Sequence, residues 1–354
     1  MLAADPRFPL AELNALQLRL QGRVAVEEGP ALAVAIRAFG QKLAATACPG
    51  SLQARLLADL NDALVGQLIA QTASVSRLPE VPWVWLALGS QGRREQSFST
   101  DQDNGLLFSA VDEREAEAMR QRFVPFGERL NALLDACGFA FCSGGVMAGN
   151  PAWCLSLHEW QQCFADWIRK PEAVALLNAT IFFDFRPLCG HTALADALRQ
   201  HLLTLTRDTP VFLHLMAGNA LRAEVPLARM GYFQTFESGG RKVIDLKHCA
   251  RIAVDAARIF ALASGTEAVD TTSRLIESGP VIGLLPQETA AAADAFSHLL
   301  RLRLSAQAGR LQAGETPDHL LDPADLHELD RHVLKSALLQ IRRLQQRLRL
   351  NYGL

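Results

Sequence analysis

The sequence predicts an α/β plus α chain: a small α/β unit carried between an N-terminal helical segment and a C-terminal helical bundle. Three observations predict it. Short apolar runs at residues 84–88 and 106–108 flank a polar, glycine-bearing turn, the pattern of two strands and their connection. Apolar residues recur at three- and four-residue spacing before residue 78 and again beyond residue 192. The two prolines of RLPEVPW, which end helices and begin extended chain, separate the first helices from the strands. At 354 residues the chain is long enough for these parts to be domains of their own, at 1–78, 79–188 and 189–354.

Composition narrows the function. A net charge of -2 gives no global attraction to nucleic acid, and no clustered basic and aromatic tract follows the strands. Seven cysteines, an odd number without a C-x-x-C pair, favour reduced thiols in a cytoplasmic protein over a disulfide framework or structural zinc. Asp5 and Pro6 interrupt the opening segment before any apolar core forms, so no signal peptide is expected. No apolar stretch is long enough to span a bilayer.

Leu10, Leu13, Leu16 and Leu20 open the first helix, a second covers 25–47 with Pro30 at a helix start, and Leu56, Leu60, Val65 and Leu68 share a face of a third. Asp62, in the middle of that third helix, makes a polar contact or faces solvent. Apolar stripes exposed on these helices would suit a homodimer. Residues 112–136 form an amphipathic helix with Phe123, Phe126 and Leu130 inward, and Pro125 predicts a kink or break. Residues 139–142 are a short strand candidate. Ser156 and Glu159 have the spacing of a capping box, and Trp153, Trp160 and Trp167 pack in a core rather than form a base-stacking platform. The run 181–185, IFFDF, is a second strand candidate or the start of a tight apolar segment, within which Asp184 either pairs with arginine or belongs to a cleft. Helices at 192–205, 211–223, 250–262, 271–277, 288–308 and 325–350 complete the chain.

The chemistry gathers at 83–108, WVWLALGSQGRREQSFSTDQDNGLLF. Strand side chains alternate faces, so Asp101 and Asp103 present two carboxylates side by side at the mouth of the second strand. Adjacent carboxylates repel, and a hard divalent ion, chiefly Mg2+, removes that cost. Gly89 and Ser90 allow phosphate oxygens close to the backbone, Gly92 keeps the turn open, and Arg93 supplies a multidentate phosphate donor; Glu95 either braces Arg93, the preferred reading, or binds metal through water. Neither a GxxxxGK[ST] phosphate loop nor a GxGxxG fingerprint occurs. The order of these parts points to metal-dependent phosphoryl or nucleotidyl transfer.

The segment GSQGRREQSFSTDQDNGLLF resembles the signature of the nucleotidyltransferases related to the uridylyltransferase that modifies the PII signalling protein. The resemblance continues through GGVMAGNPAW, LHEW, IFFDFRPLCG, VIDLKHCARIAVDAARIFAL, TTSRL and LRLRLSAQ, the later pieces resembling that family's C-terminal substrate-binding domain. It implies the DNA-polymerase-beta-like nucleotidyltransferase fold, with a small mixed sheet. It also implies that Gly89 and Ser90 hold the triphosphate, Asp101 and Asp103 bind Mg2+ (or Mn2+), and Arg93 contacts phosphate. Enzymes of that fold often use a third carboxylate. Asp184 is the expected candidate for that catalytic role and Glu159 the second. Lys247 either reaches phosphate or the acceptor, or stands in solvent on a helix capped by Asp245. Arg258 and Arg274 are weaker cleft candidates. The expected activity moves a nucleoside monophosphate from an NTP to a hydroxyl of a protein or small molecule, an RNA acceptor being disfavoured but open. A nucleotide-sensing or partner-binding protein without turnover is the alternative.

Overall fold

The computed structural model describes residue 5, residues 7–228 and residues 230–354. The chain divides into two compact units. The first takes the chain up to Thr46 with Arg55–Gln96 and Thr100–Leu205, and the second takes Ala47–Ala54, Ser97–Ser99 and Thr206–Leu354.

Three helices lead in: α1 (Leu10–Gln21), α2 (Gly29–Ala44) and α3 (Gly50–Val75). Pro30 sits in the first turn of α2, where its missing N–H costs no hydrogen bond. A four-stranded sheet follows in the first unit, built from β1 (Trp83–Ala87), β2 (Asn104–Phe108), β3 (Cys154–Ser156) and β4 (Arg186–Gly190). Its order is β3-β2-β1-β4, with β1 antiparallel to both neighbours and β2 parallel to β3. The sheet is therefore mixed. β1 and β2 are buried almost end to end, which explains why both read as continuous apolar runs rather than alternating ones.

The single-turn helix α4 (Gly89–Gly92) links β1 towards β2, and α5 (Glu113–Ala136) packs against the sheet. Pro125 lies inside α5 without ending it. The aromatic residues on either side hold the helix down: Phe123 stacks on Phe108 at 5.3 Å, and Phe126 meets Trp83 edge-on at 5.6 Å. Then come α6 (Leu157–Arg169) and α7 (Ala173–Phe182). Ser156 and Glu159 form the expected capping box of α6. Trp160 is fully buried in the core, close to Phe182 and stacked at 6.1 Å on Trp153, which is half-buried, as is Trp167.

Two strand assignments change. The run 181–185 is the last turn of α7 and the bend after it, and the strand is the next five residues, RPLCG. AVALLNATIF is apolar all round, so it carries no helical period, and a short apolar run does not distinguish helix from strand. The candidate at 139–142 reduces to one parallel bridge, Ala140 to Asp101.

The second unit is helical. After α8 (Thr192–Asp208), which crosses the unit boundary, it contains α9 (Pro210–Ala220), α10 (Leu246–Ser264), α11 (Thr271–Ser278), α12 (Pro286–Gln312) and α13 (Glu328–Tyr352). The strands β5 (Phe236–Ser238) and β6 (Arg241–Asp245) make a hairpin whose turn is Gly239-Gly240, both at positive φ, and β7 (Leu320–Leu321) pairs with β6. The alanine-rich α10 is buried on nearly every side and touches α9, α11, α12 and α13. α13 buries Leu334, Leu338, Ile341 and Leu344, while Leu329 at its start is exposed. No helix among the described residues is long and apolar enough to cross a membrane.

Candidate active site

The loop that joins β1 to β2 is shaped by two glycines. Gly89 adopts a left-handed φ of 54°, and a Cβ there would lie 2.8 Å from a carboxylate oxygen of Asp103. Gly92 is closer still: its Cβ would stand 1.8 Å from the backbone oxygen of Asp184 and 3.0 Å from that of Ala87. Glycine at these two positions lets the turn lie directly against the carboxylate pair on one side and the chain entering β4 on the other. The backbone N–H groups of Gly92 and Arg93 turn back to the carbonyls of Leu88 and Gly89, closing the single turn of α4.

The DQDN sequence alternates as a strand should. Gln102 and Asn104 point inward and are buried, whereas Asp101 is exposed and Asp103 half-buried. The inward pair is fixed by a polar network around Asn131 of α5. Gln102 donates to the carbonyls of Asn131 and Phe139 at 2.9 and 2.8 Å. Asn131 donates to Gln102 Oε1 at 2.7 Å and Asn104 Oδ1 at 3.0 Å, while accepting from the Gly149 N–H at 2.9 Å. Asn104 also accepts from the Ala148 N–H at 2.8 Å. A network of this kind is favourable only when its members find partners, because each abandoned buried group costs about 1–3 kcal/mol. Locking Gln102 and Asn104 inward is what turns Asp101 and Asp103 outward.

The same network brings in a third group. The main chain of 140–146 lies beside the DQDN segment, through Gln102 N–H to the Ala140 carbonyl at 2.8 Å and Asn104 N–H to that of Val146 at 3.1 Å. Cys142 is thereby carried to the aspartates. Asp101, Asp103 and Cys142 have ligand atoms all within 4.8 Å of one another, the one such group of metal-ligating side chains among the described residues. Burial raises the Cys142 thiol above its ordinary pKa, hydrogen bonds from the Val146 and Gly144 backbone oppose that, and the Asp103 carboxylate adds to it. The donor set fits a divalent cation: two carboxylate corners on a short strand-entry segment, with room for more oxygen ligands on the exposed side of Asp101.

Asp184 is not a member of this cluster. It is fully buried, and its carboxylate accepts from Arg93 Nη1 at 2.6 Å. Arg93 also donates through Nε to Glu95 at 2.7 Å, the expected brace. Arg186, beside Asp184 in sequence, turns to a different carboxylate: its Nη2 donates to Asp62 of α3 at 2.5 Å and reaches the Gln91 carbonyl at 3.3 Å, while Nε reaches the Gly92 carbonyl at 3.3 Å. Asp62 and Arg186 thus tie α4 to α3. Burial pushes the Asp62 carboxyl above its ordinary pKa, with the Arg186 guanidinium the main opposing influence. Sequence reasoning left Asp62 undecided and passed over Cys142, whose only local signal is its place before the Gly144-Gly145 turn.

The other candidates make different contacts. Glu159 caps α6 through Ser156 and pairs with Arg120 of α5. In the second unit, Lys247 is exposed in the first turn of α10, and Asp245 caps that helix by accepting from the Lys247 and His248 N–H groups at 2.8 and 3.0 Å. Arg258 and Arg274 are buried in the helical core rather than lining a cleft. Arg258 pairs with Asp255 at 2.6 Å, and Arg274 donates to the Ala268 carbonyl at 2.9 Å.

Two family matches accord with the division of labour. Residues 35–174 match the family described as "Putative nucleotidyltransferase DUF294", and residues 210–352 match its companion, "Putative nucleotidyltransferase substrate binding domain". The chain belongs to this nucleotidyltransferase family. The first match contains α4, the DQDN segment and Cys142, and the second lies within the helical unit. No curated protein matches the chain.

Proposed function

We propose that the chain transfers a nucleoside monophosphate from an NTP to a hydroxyl on a protein or small molecule and releases pyrophosphate. The observation that carries this reading is the outward-facing Asp101–Asp103 pair, set against the Gly89 turn by a buried polar network, in a chain of a nucleotidyltransferase family. The mixed sheet with the pair at the entry to β2 supports a DNA-polymerase-beta-like arrangement.

In this reading Asp101 and Asp103 would hold Mg2+, or Mn2+ in its place. Such an ion, when bound, neutralises charge on the triphosphate and polarises the phosphorus under attack. Gly89 and Ser90 let phosphate oxygens approach the backbone. Arg93, whose guanidinium is oriented by Glu95 and Asp184, acts on phosphate from a fixed position instead of paying side-chain entropy on each encounter. Asp184 is then a positioning residue. The acceptor oxygen forms a bond to the α-phosphorus, the bond to the bridging oxygen breaks, and the electron pair leaves with pyrophosphate. The acceptor's proton passes to a base or to solvent. A protein hydroxyl is the acceptor suggested by the likeness to PII-modifying enzymes.

One observation favours a second reading. The third corner of the cluster is a thiol and Asp184 is engaged with Arg93, so the site has two carboxylates where a transferase of this kind often has three. A nucleotide sensor would bind Mg2+-NTP saturably and produce no pyrophosphate. Pyrophosphate release by the purified chain, with each NTP and a soluble-lysate fraction as the acceptor source, separates the two. Release that needs both Mg2+ and lysate supports transfer, and saturable binding without release supports the sensor.

A further inference from the structure

We propose that Cys142 is a third protein ligand of the Asp101–Asp103 site, giving it a sulfur corner that holds thiophilic divalent cations more tightly than Mg2+. This inference rests on the reading of the two aspartates as metal ligands.

The geometry carries it. The Cys142 sulfur belongs to the same group as the two carboxylates, with all three ligand atoms within 4.8 Å. Bonds of about 2.0–2.3 Å from oxygen and sulfur to one ion need only small side-chain rotations from such a spacing. The sulfur's position is not accidental to a loose loop. Ala140 is bridged to Asp101, the Cys142 carbonyl closes a turn with the Gly145 N–H at 2.9 Å, and Val146 is bonded to Asn104 at 3.1 Å. By contrast Cys48, Cys137, Cys154 and Cys249 are buried, and none of the seven cysteines is in a disulfide.

Two oxygens and one sulfur make a mixed donor set. Mg2+ prefers oxygen and would use the carboxylates and water alone, whereas Zn2+, Co2+ and Cd2+ gain a strong bond from sulfur. As the metal–sulfur bond forms, the thiol proton passes to solvent. The metal is not redox-active in this step, and nothing is oxidised.

The test uses the full chain, stripped of metal and titrated with Cd2+, with the ultraviolet sulfur-to-cadmium charge-transfer band as the readout. The unmutated chain should develop the band with one equivalent of Cd2+. Cys142→Ser and Cys142→Ala should lose it and bind Cd2+ at least about tenfold more weakly, while Mg2+ affinity changes by less than about twofold. Circular dichroism confirms that each variant is folded, and two replacements guard against failure of one. Absence of the band from the unmutated chain, or its persistence in both variants, overturns the inference. Its fate is separable from that of the transferase reading. Transfer that depends on Asp101 and Asp103 without a cadmium band would sink only the sulfur ligand. A cadmium band in a chain that never releases pyrophosphate would sink only the transferase.

Discussion

Replacing Asp184 by asparagine separates an anchoring role from a chemical one. The variant keeps the shape of the side chain and removes its charge from a fully buried position 2.6 Å from Arg93. Breaking a buried ion pair costs about 3–5 kcal/mol when the surviving charge has no other partner. Here Arg93 keeps Glu95 at 2.7 Å, and the amide oxygen still accepts a hydrogen bond, so the lower end, about 3 kcal/mol, is expected. In a unit of this size that corresponds to a fall of about 6–12 °C in Tm. The assay is urea unfolding followed by tryptophan fluorescence. All five tryptophans, at 83, 85, 153, 160 and 167, lie in the first unit, so the signal reports on that unit alone. Asp103→Asn is the comparison: its half-buried carboxylate neighbours another, and stability should change by less than about 1 kcal/mol while transfer is lost. In D184N the transfer rate should fall less than in D103N and KM for NTP should rise, because Arg93 loses its fixed orientation. An unchanged urea midpoint together with abolished transfer would refute the anchoring account and make Asp184 part of the chemistry.

Further outcomes follow from the same contacts. Asn131→Ala strands Gln102 Oε1, the Gly149 N–H and one partner of Asn104, and should destabilise the first unit by about 3 kcal/mol or more, measured by the same fluorescence. Gly92→Ala drives a Cβ to within 1.8 Å of the Asp184 backbone oxygen and should cost at least about 3 kcal/mol, whereas Gly66→Ala, where nothing lies within 4 Å on α3, should stabilise by about 0.5–1 kcal/mol. In the second unit, burial and Arg301 lower the His298 pKa to about 4, while burial, Arg303 and Lys247 lower that of His319 to about 4. Their folded pKa values lie below the unfolded ones, so between about pH 4 and 6.5 the unfolded chain binds more protons and stability is lost as pH falls. Acidification from pH 6.5 to 5 should cost about 1–2 kcal/mol per histidine, and His298→Gln should remove its share of the slope in far-ultraviolet unfolding curves.

How much of this was legible depends on where the signal lives. Helices such as α5 and α13 follow from periodicity, since one face of each is buried and the other solvated, whereas α10 is buried on nearly every side. The order Gly-Ser, Gly-Arg, Glu, Asp-x-Asp also showed the turn, the brace between Glu95 and Arg93, and the outward carboxylates, because strand alternation is local. What failed was non-local or without period. The last two residues of α7 and the bend after them form a short apolar run without period, which reads as a strand candidate. Asp184 pairs with an arginine, one of its two expected roles, but which arginine is a non-local matter: it meets Arg93 from the α4 turn, and Arg186 meets Asp62 from a helix 124 residues earlier. Cys142 joins the aspartates only through a loop register set by Asn131 and Asn104, and no spacing rule in the sequence encodes that register.

The most direct test of the central claim is transfer of label from α-phosphate-labelled ATP, CTP, GTP and UTP to components of a soluble lysate. The unmutated chain and the D101N/D103N variant are compared with and without Mg2+. Label moving onto a protein or metabolite only with the unmutated chain and only with Mg2+ is the predicted result. Equal transfer by the double variant would contradict the assignment of Asp101 and Asp103, and absence of transfer from both, with tight Mg2+-NTP binding by the unmutated chain, would contradict catalysis itself.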